Sequence, residues 1–297
     1  MRQQLTLQLD AAAVPTAEAL LELAGADSIA LADAGDDPVL EPLPETTPLW
    51  PHVTLRAVFP ASADLTHVGD LLEGACAARN VKVTVLHDAD WQAAIRQVFK
   101  ARAFGQRIWL APADDAAVPA GRIGIRLHMG LAFGTGEHPT TALCLDWLDA
   151  HVRRGATLLD YGCGSGVLAL AALALGASHA WATDNDPQAL VATRSNAELN
   201  GALERVAIAT PGSLPAVTVD IVAANILAGP LMALAPLLAA HVRPGGALVL
   251  AGILSTLAAQ VAQAYAPYCT DFAQTTEQGW VRIAATRRSA STSASLS

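Results

Sequence analysis

The chain has 297 residues, long enough for two domains of ordinary size, and a hydrophobic fraction of 53% supplies a real core. Its formal net charge of −9 argues against a broad basic surface for gripping nucleic acid and suits a small-molecule enzyme or a basic partner. Residues 1–10 carry no apolar signal core, and the apolar runs at 167–177 and 226–242 are too short or too proline-broken to span a bilayer, so a cytoplasmic protein is expected.

The first 88 residues alternate strand-like and helix-like patterns. Polar and apolar residues alternate over 3–9, as in a half-buried strand. Helical spacing over 15–24 stops at Gly25, and 28–32 is a short apolar strand. The acidic, proline-rich stretch 33–51 predicts a loop. A strand over 52–59, a helix over 65–78 and a strand over 81–86 complete the order βαββαβ, that of a ferredoxin-like domain over 1–88. Residues 90–102 predict a helix, within a linker spanning 89–104.

From residue 105 a second unit begins. Short strands are expected at 108–111 and 123–127, then a helix over 139–152 with Pro139 in its first turn. After Gly155 strands and helices alternate strictly: strand 157–161, helix 167–175, strand 179–183, helix 187–200, strand 206–209, strand 221–225, helix 230–241. A turn at Arg243-Pro244-Gly245-Gly246 leads to strand 247–251 and helix 255–265. Segments 268–275 and 280–285 predict an antiparallel hairpin. The fold class is therefore α/β: a doubly wound, mostly parallel sheet over 105–288, with a Ser/Ala tail from 289 expected to be disordered. Cys76, Cys144, Cys163 and Cys269 form no CxxC pair and have no histidine at metal-ligand spacing, so no metal site is expected.

The sharpest local signal is Asp160-Tyr161-Gly162-Cys163-Gly164-Ser165-Gly166, where a buried strand turns into a helix. Glycines there permit a tight turn and close approach of a ligand. A dinucleotide prefers G-x-G-x-x-G, but the spacing here is G-x-G-x-G, with Val167 at the place of the third glycine. Asp160 sits two residues before the first glycine, and the pattern resembles motif I of class I S-adenosylmethionine-dependent methyltransferases. About twenty residues on, Asp184 ends the next strand, where an acid accepts hydrogen bonds from ribose hydroxyls. Asp186, before Pro187, is the natural cap of the following helix.

Two further motifs narrow the resemblance. Phe133-Gly134-Thr135-Gly136-Glu137-His138-Pro139-Thr140-Thr141 precedes the sheet, and Asn225-Ile226-Leu227 ends its fourth strand. With Asp160–Gly166 they resemble the ribosomal protein L11 methyltransferase family, over roughly residues 100–285. That resemblance implies a Rossmann-like fold, S-adenosylmethionine as cofactor, and an N-terminal substrate-recognition domain. It implies methyl transfer to lysine ε-amines and the N-terminal α-amine of ribosomal protein L11. Thr141, Gly162, Asp184 and Asn225 would contact the cofactor, as would Asp160, Gly164 and Gly166 of motif I. The 134–136 loop, with Thr135 and Gly136, would fold over it, and Phe133 would lie near the reacting end. Two places depart from the family pattern: His128-Met129 stands where an Asp-Pro pair is expected, and the last strand lacks an acidic lead-in.

In the reaction that the resemblance implies, a neutral amine would attack the sulfonium methyl carbon in line. Asn225, at the carboxyl end of its strand, is the candidate to hold that amine; the resemblance implies Phe133 near the same reacting end. His138 reads either as a general base or as a structural residue at a helix start. Three other functions compete: a nucleic-acid N-methyltransferase, a non-catalytic ribosome-binding protein with a vestigial cofactor site, and an NAD-dependent dehydrogenase. The acidic charge and the Ile-Leu after Asn225 count against the first, and the intact motif residues against the second. The glycine spacing counts against the third. No DNA or membrane partner is expected, and a monomer is.

Overall fold

Leucines at every second position build the first layer. In β1 (Arg2–Asp10), Leu5, Leu7 and Leu9 are buried while Gln4, Thr6 and Gln8 are only half so. Antiparallel pairing with β3 (His52–Pro60) sets these leucines opposite Ala57, Leu55 and Val53, so one face becomes continuously apolar. That face is covered by α1 (Val14–Leu23), through Val14, Ala17 and Leu21, and by α2 (Val68–Cys76), through Leu72 and Cys76. With β2 (Ser28–Asp33) and β4 (Arg79–Leu86) the sheet runs β2-β3-β1-β4, antiparallel throughout. The element order βαββαβ is the one read from the sequence. The computed structural model describes residues 2–35, 50–86, 100–115, 117–128 and 138–289. Most of the expected 33–51 loop, most of the expected linking helix and the expected tail from 290 lie outside them.

Residues 1–97 and 98–297 form two compact units. The second opens with a small sheet of β5 (Arg102–Phe104), β6 (Ile108–Pro112) and β7 (Ile123–Leu127). Residues 102–104 are thus strand, not the end of a linking helix. Asp149, 6% exposed, holds the β5–β6 turn by accepting from the backbone N–H groups of Gln106 at 2.8 Å and Arg107 at 3.2 Å.

The large sheet runs β10-β9-β8-β11-β12-β14-β13. Its parallel part comprises β8 (Thr157–Tyr161), β9 (His179–Thr183), β10 (Val206–Ala209), β11 (Val219–Asn225) and β12 (Val242–Leu254). β13 (Cys269–Glu277) and β14 (Trp280–Arg287) add the expected antiparallel hairpin. One face packs on α3 (Pro139–His151) and α4 (Val167–Ala174), with α5 (Pro187–Leu199) beside them. The other packs on α6 (Ala228–Ala233), α7 (Ala235–His241) and α8 (Ala258–Tyr265). From β8 the order grows outward both ways, through β9 and β10 on one side and β11 and β12 on the other. The carboxyl ends of β8 and β11 therefore flank a topological switch point, where open α/β sheets bind ligands.

Two expectations need correction. The single helix over 230–241 is two helices meeting at Leu234. Pro236 lacks an N–H, and its ring opposes the carbonyl four residues back, so a continuous helix cannot pass it. The turn at 243–246 lies inside β12: Val242 pairs with Val219 and Ala247 with Ile221, so residues 243–246 bulge from a strand that continues on both sides.

Candidate active site at the switch point

The glycine turn is built as its spacing demands. Gly162, Gly164 and Gly166 have φ of +78°, +52° and +80°, all in the left-handed region that side chains resist. The N–H groups of Gly162 and Cys163 both donate to the Thr183 carbonyl, at 2.8 and 3.0 Å, pinning the turn to the end of β9. Asp184, the next residue, accepts from Gly164 N–H at 3.0 Å and from Asp186 N–H at 3.0 Å. Asp186 caps α5, accepting from Gln188 N–H at 2.8 Å.

Asp160 lies at the heart of the site, 1% exposed. Its Oδ2 accepts from Ala169 N–H, in the first turn of α4, at 3.1 Å. Its Oδ1 is buried and has no hydrogen-bond partner among the described residues. Burial pushes the carboxyl up to about 7; the Ala169 N–H opposes the shift and the Asp184 carboxylate adds to it.

Asn225 ends β11, and its Nδ2 donates to Thr141 Oγ1 of α3 at 3.2 Å. That bond leaves Asn225 Oδ1 buried and, among the described residues, without a partner. A buried amide oxygen left empty costs about 1–3 kcal/mol, so a donor arriving with a ligand recovers that cost. Thr141, Asp160, Gly162, Gly164, Asp184 and Asn225 all line one crevice of about 200 Å³. Six residues scattered over 85 positions of sequence are thus brought to one place.

Others fall elsewhere. Gly166 caps α4 and does not line the crevice. His138 caps α3: its Nδ1 accepts from Thr140 N–H at 3.3 Å and lies 2.7 Å from Thr140 Oγ1. Its ring meets Trp280 edge-on, centroids 4.7 Å apart, and burial lowers its pKa below the ordinary histidine value. This geometry favours the structural role. Phe133, Thr135 and Gly136 lie outside the described residues.

Sequence reasoning missed the contacts that Ile226 and Gly252 make at the site. Cys163 lines the crevice, and burial raises its thiol pKa far above the ordinary value, so it stays protonated. Ile226 also lines it and sits between two glycines. A Cβ on Gly162 would lie 2.3 Å from Ile226 Cγ2, and one on Gly252 would lie 2.3 Å from the Ile226 carbonyl oxygen. Gly252, at φ +83°, occupies the register shift of β12 between Leu250 and Ile253. The Asn-Ile-Leu segment thus rests on a bulge in the neighbouring strand. In the sequence Gly252 is only a glycine inside an apolar strand, which can mark a bulge but does not say what rests on it.

The family model for ribosomal protein L11 methyltransferase matches residues 2–288. The chain belongs to that family. A ribosomal protein L11 methyltransferase of Azotobacter vinelandii is 48% identical over 274 residues, 91% of this chain and 93% of that protein. The Pseudomonas putida protein of the same name is 47% identical over 275 residues, 91% of this chain and 94% of its own length. The crystal structure of the ribosomal protein L11 methylase from Lactobacillus delbrueckii subsp. bulgaricus superposes with a TM-score of 0.59 at 29% identity, covering 64% of this chain and all of that one. The large sheet is thus the Rossmann-like sheet of this methyltransferase family.

Proposed function

We propose that the chain transfers methyl groups from S-adenosylmethionine to amines of ribosomal protein L11: lysine ε-amines and the N-terminal α-amine. The carrying observation is Asn225 Oδ1, a buried acceptor without a partner among the described residues, at the end of β11 and in one crevice with the glycine turn. The crevice fits the cofactor on its own terms. Two buried acceptors, Asp160 Oδ1 and Asn225 Oδ1, find no donor among the described residues and line the same crevice as the glycine turn. In this reading Asp160, Gly162 and Gly164 hold the amino-acid end of the cofactor, Asp184 holds its ribose, and Thr141 fixes Asn225. Gly166 shapes the turn.

The bound cofactor supplies an activated methyl group on a sulfonium. The chain's residues supply alignment and a neutral amine. A free lysine has a pKa near 10.4, so deprotonating it at pH 7 costs roughly 4–5 kcal/mol. A water-poor pocket beside a cation lowers that cost, so no strong side-chain base is required. His138, with Nδ1 engaged at Thr140, is not needed as one. Asn225 Oδ1 accepts from the amine N–H and points the nitrogen lone pair at the methyl carbon.

In this reading the N-terminal antiparallel sheet is a ferredoxin-like unit that recognises the substrate, and the enzyme works as a cytoplasmic monomer. Among the described residues no helix is long and apolar enough to cross a membrane. The test is incubation with radiolabelled S-adenosylmethionine and separated large-subunit proteins and RNA. Label on L11 alone supports the reading; label in RNA replaces it with nucleic-acid methylation.

A further inference from the structure

Helix α5 carries buried polar side chains where a helix packed on a sheet normally carries apolar ones. Thr193 is fully buried and Asn196 is 1% exposed. With Asn200 they follow one helix face at steps of three and four. Each is bonded to backbone. Thr193 Oγ1 donates to the Gly164 carbonyl at 3.0 Å, and Asn196 Nδ2 donates to the Ser165 carbonyl at 2.9 Å. These are successive carbonyls of the glycine turn. A Cβ on Gly166 would lie 2.8 Å from Thr193 Cγ2, so helix and turn are in direct contact.

The other ends of the two asparagines hold β7. Asn196 Oδ1 accepts from His128 N–H at 2.7 Å. Asn200 Oδ1 accepts from Arg126 N–H at 2.9 Å, and its Nδ2 donates to the Arg126 carbonyl at 2.6 Å. β7 is the outer strand of its sheet, and Arg126 and His128 are alternate residues that turn their backbone groups to the same free edge. One helical turn advances about 5.4 Å and two strand residues about 6.6 Å, so asparagines four apart can serve backbone groups two apart. Helix α5 thus stands in for a missing neighbour strand and joins that edge to the glycine turn.

We infer that Asn196, seconded by Thr193, is a positioning residue for cofactor binding. It fixes the peptide planes of the turn 162–166 and ties them to the strand from which the chain runs on toward Thr141. Asn200 holds the strand but not the turn, so it is the internal control. The inference rests on the proposed cofactor, and the experiment separates the two. S-adenosylhomocysteine is titrated calorimetrically into wild type, Asn196→Asp and Asn200→Ala, with Tm recorded for each. Asn196→Asp keeps an acceptor for His128 but replaces the donor to Ser165 by an acceptor. It should bind about tenfold more weakly or worse, as loss of one buried hydrogen bond implies. Its KM for S-adenosylmethionine should rise in step, while kcat at saturating cofactor stays near wild type. Asn200→Ala should melt earlier and bind within about twofold of wild type. Should Asn196→Asp not fold, Thr193→Val removes the hydroxyl that meets the Gly164 carbonyl and Cys163 Sγ, both in the turn, and should weaken binding about fivefold. Wild-type affinity in the turn-facing variants, or an equal loss in Asn200→Ala, overturns the inference. A wild-type protein that binds no S-adenosylhomocysteine overturns the cofactor reading beneath it.

Discussion

Replacing Gly252 by alanine tests whether the strand bulge sets the position of Asn225. Gly252 has φ +83°, and a Cβ there would lie 2.3 Å from the Ile226 carbonyl oxygen and 2.7 Å from its carbonyl carbon. Alanine in the left-handed region costs roughly 1–2 kcal/mol. Carbon contacts settle near 3.5 Å, so the Ile226 backbone must also retreat by about 1 Å. Together these effects amount to about 2–4 kcal/mol, or a Tm lowered by roughly 5–15 °C for a unit of this size. Ile226 directly follows Asn225, so the retreat moves the amide that holds the amine. A displacement of about 1 Å at a reacting centre costs about a hundredfold in turnover. Calorimetry and methyl-transfer kinetics well below the variant's Tm measure both effects. Gly74→Ala is the control: it lies in α2, where an added Cβ meets nothing within 4 Å, and should be neutral or slightly stabilising. A Gly252→Ala protein that melts and turns over like wild type refutes the packing argument.

Other outcomes follow from the same geometry. Asn225→Ala removes the unpartnered acceptor and should lower kcat by about a hundredfold or more while the protein still folds, as single-turnover kinetics and calorimetry will show. Burial holds the Asp160 carboxyl near 7, above its unfolded value, so the native state keeps a proton that the unfolded chain has lost between about pH 4 and pH 7, and stability falls as pH rises through that window. Asp160→Asn keeps an acceptor for Ala169, so its Tm relative to wild type should rise from pH 5 to pH 8; a difference independent of pH contradicts the assignment. Asp149→Ala strips the backbone of Gln106 and Arg107 of a buried acceptor and should cost about 2–4 kcal/mol in denaturant unfolding, with affinity for S-adenosylhomocysteine unchanged.

Some parts of this architecture are legible in the sequence for simple reasons. Leu5, Leu7 and Leu9 announce a strand with one buried face, and the glycines at 162, 164 and 166 sit where three left-handed residues are required. Asp160, Asp184 and Asn225 are legible because each is a polar residue ending a run of buried strand, where a side chain reaches the switch point. What stayed hidden depends on distant contacts. Nothing local marks Gly252 as the support of Ile226, since the two meet only across β11 and β12. Thr193 and Asn196 look like the solvated side of an amphipathic helix, yet their partners are backbone groups some thirty and seventy residues away. β5 is too short for a periodic signal and exists only by pairing with β6. The break at Leu234 was legible in principle, because Pro236 stands inside the expected helix.

The central claim is that this chain methylates amines of ribosomal protein L11. Purified L11, incubated with the chain and S-adenosylmethionine and read by intact mass and then by peptide mapping, tests it most directly. The account predicts mass gains in whole methyl steps, mapped to lysine side chains and the N-terminal amine and absent with Asn225→Ala. Unmodified L11 from a chain that binds the cofactor, or methyl groups on atoms other than those nitrogens, would contradict it.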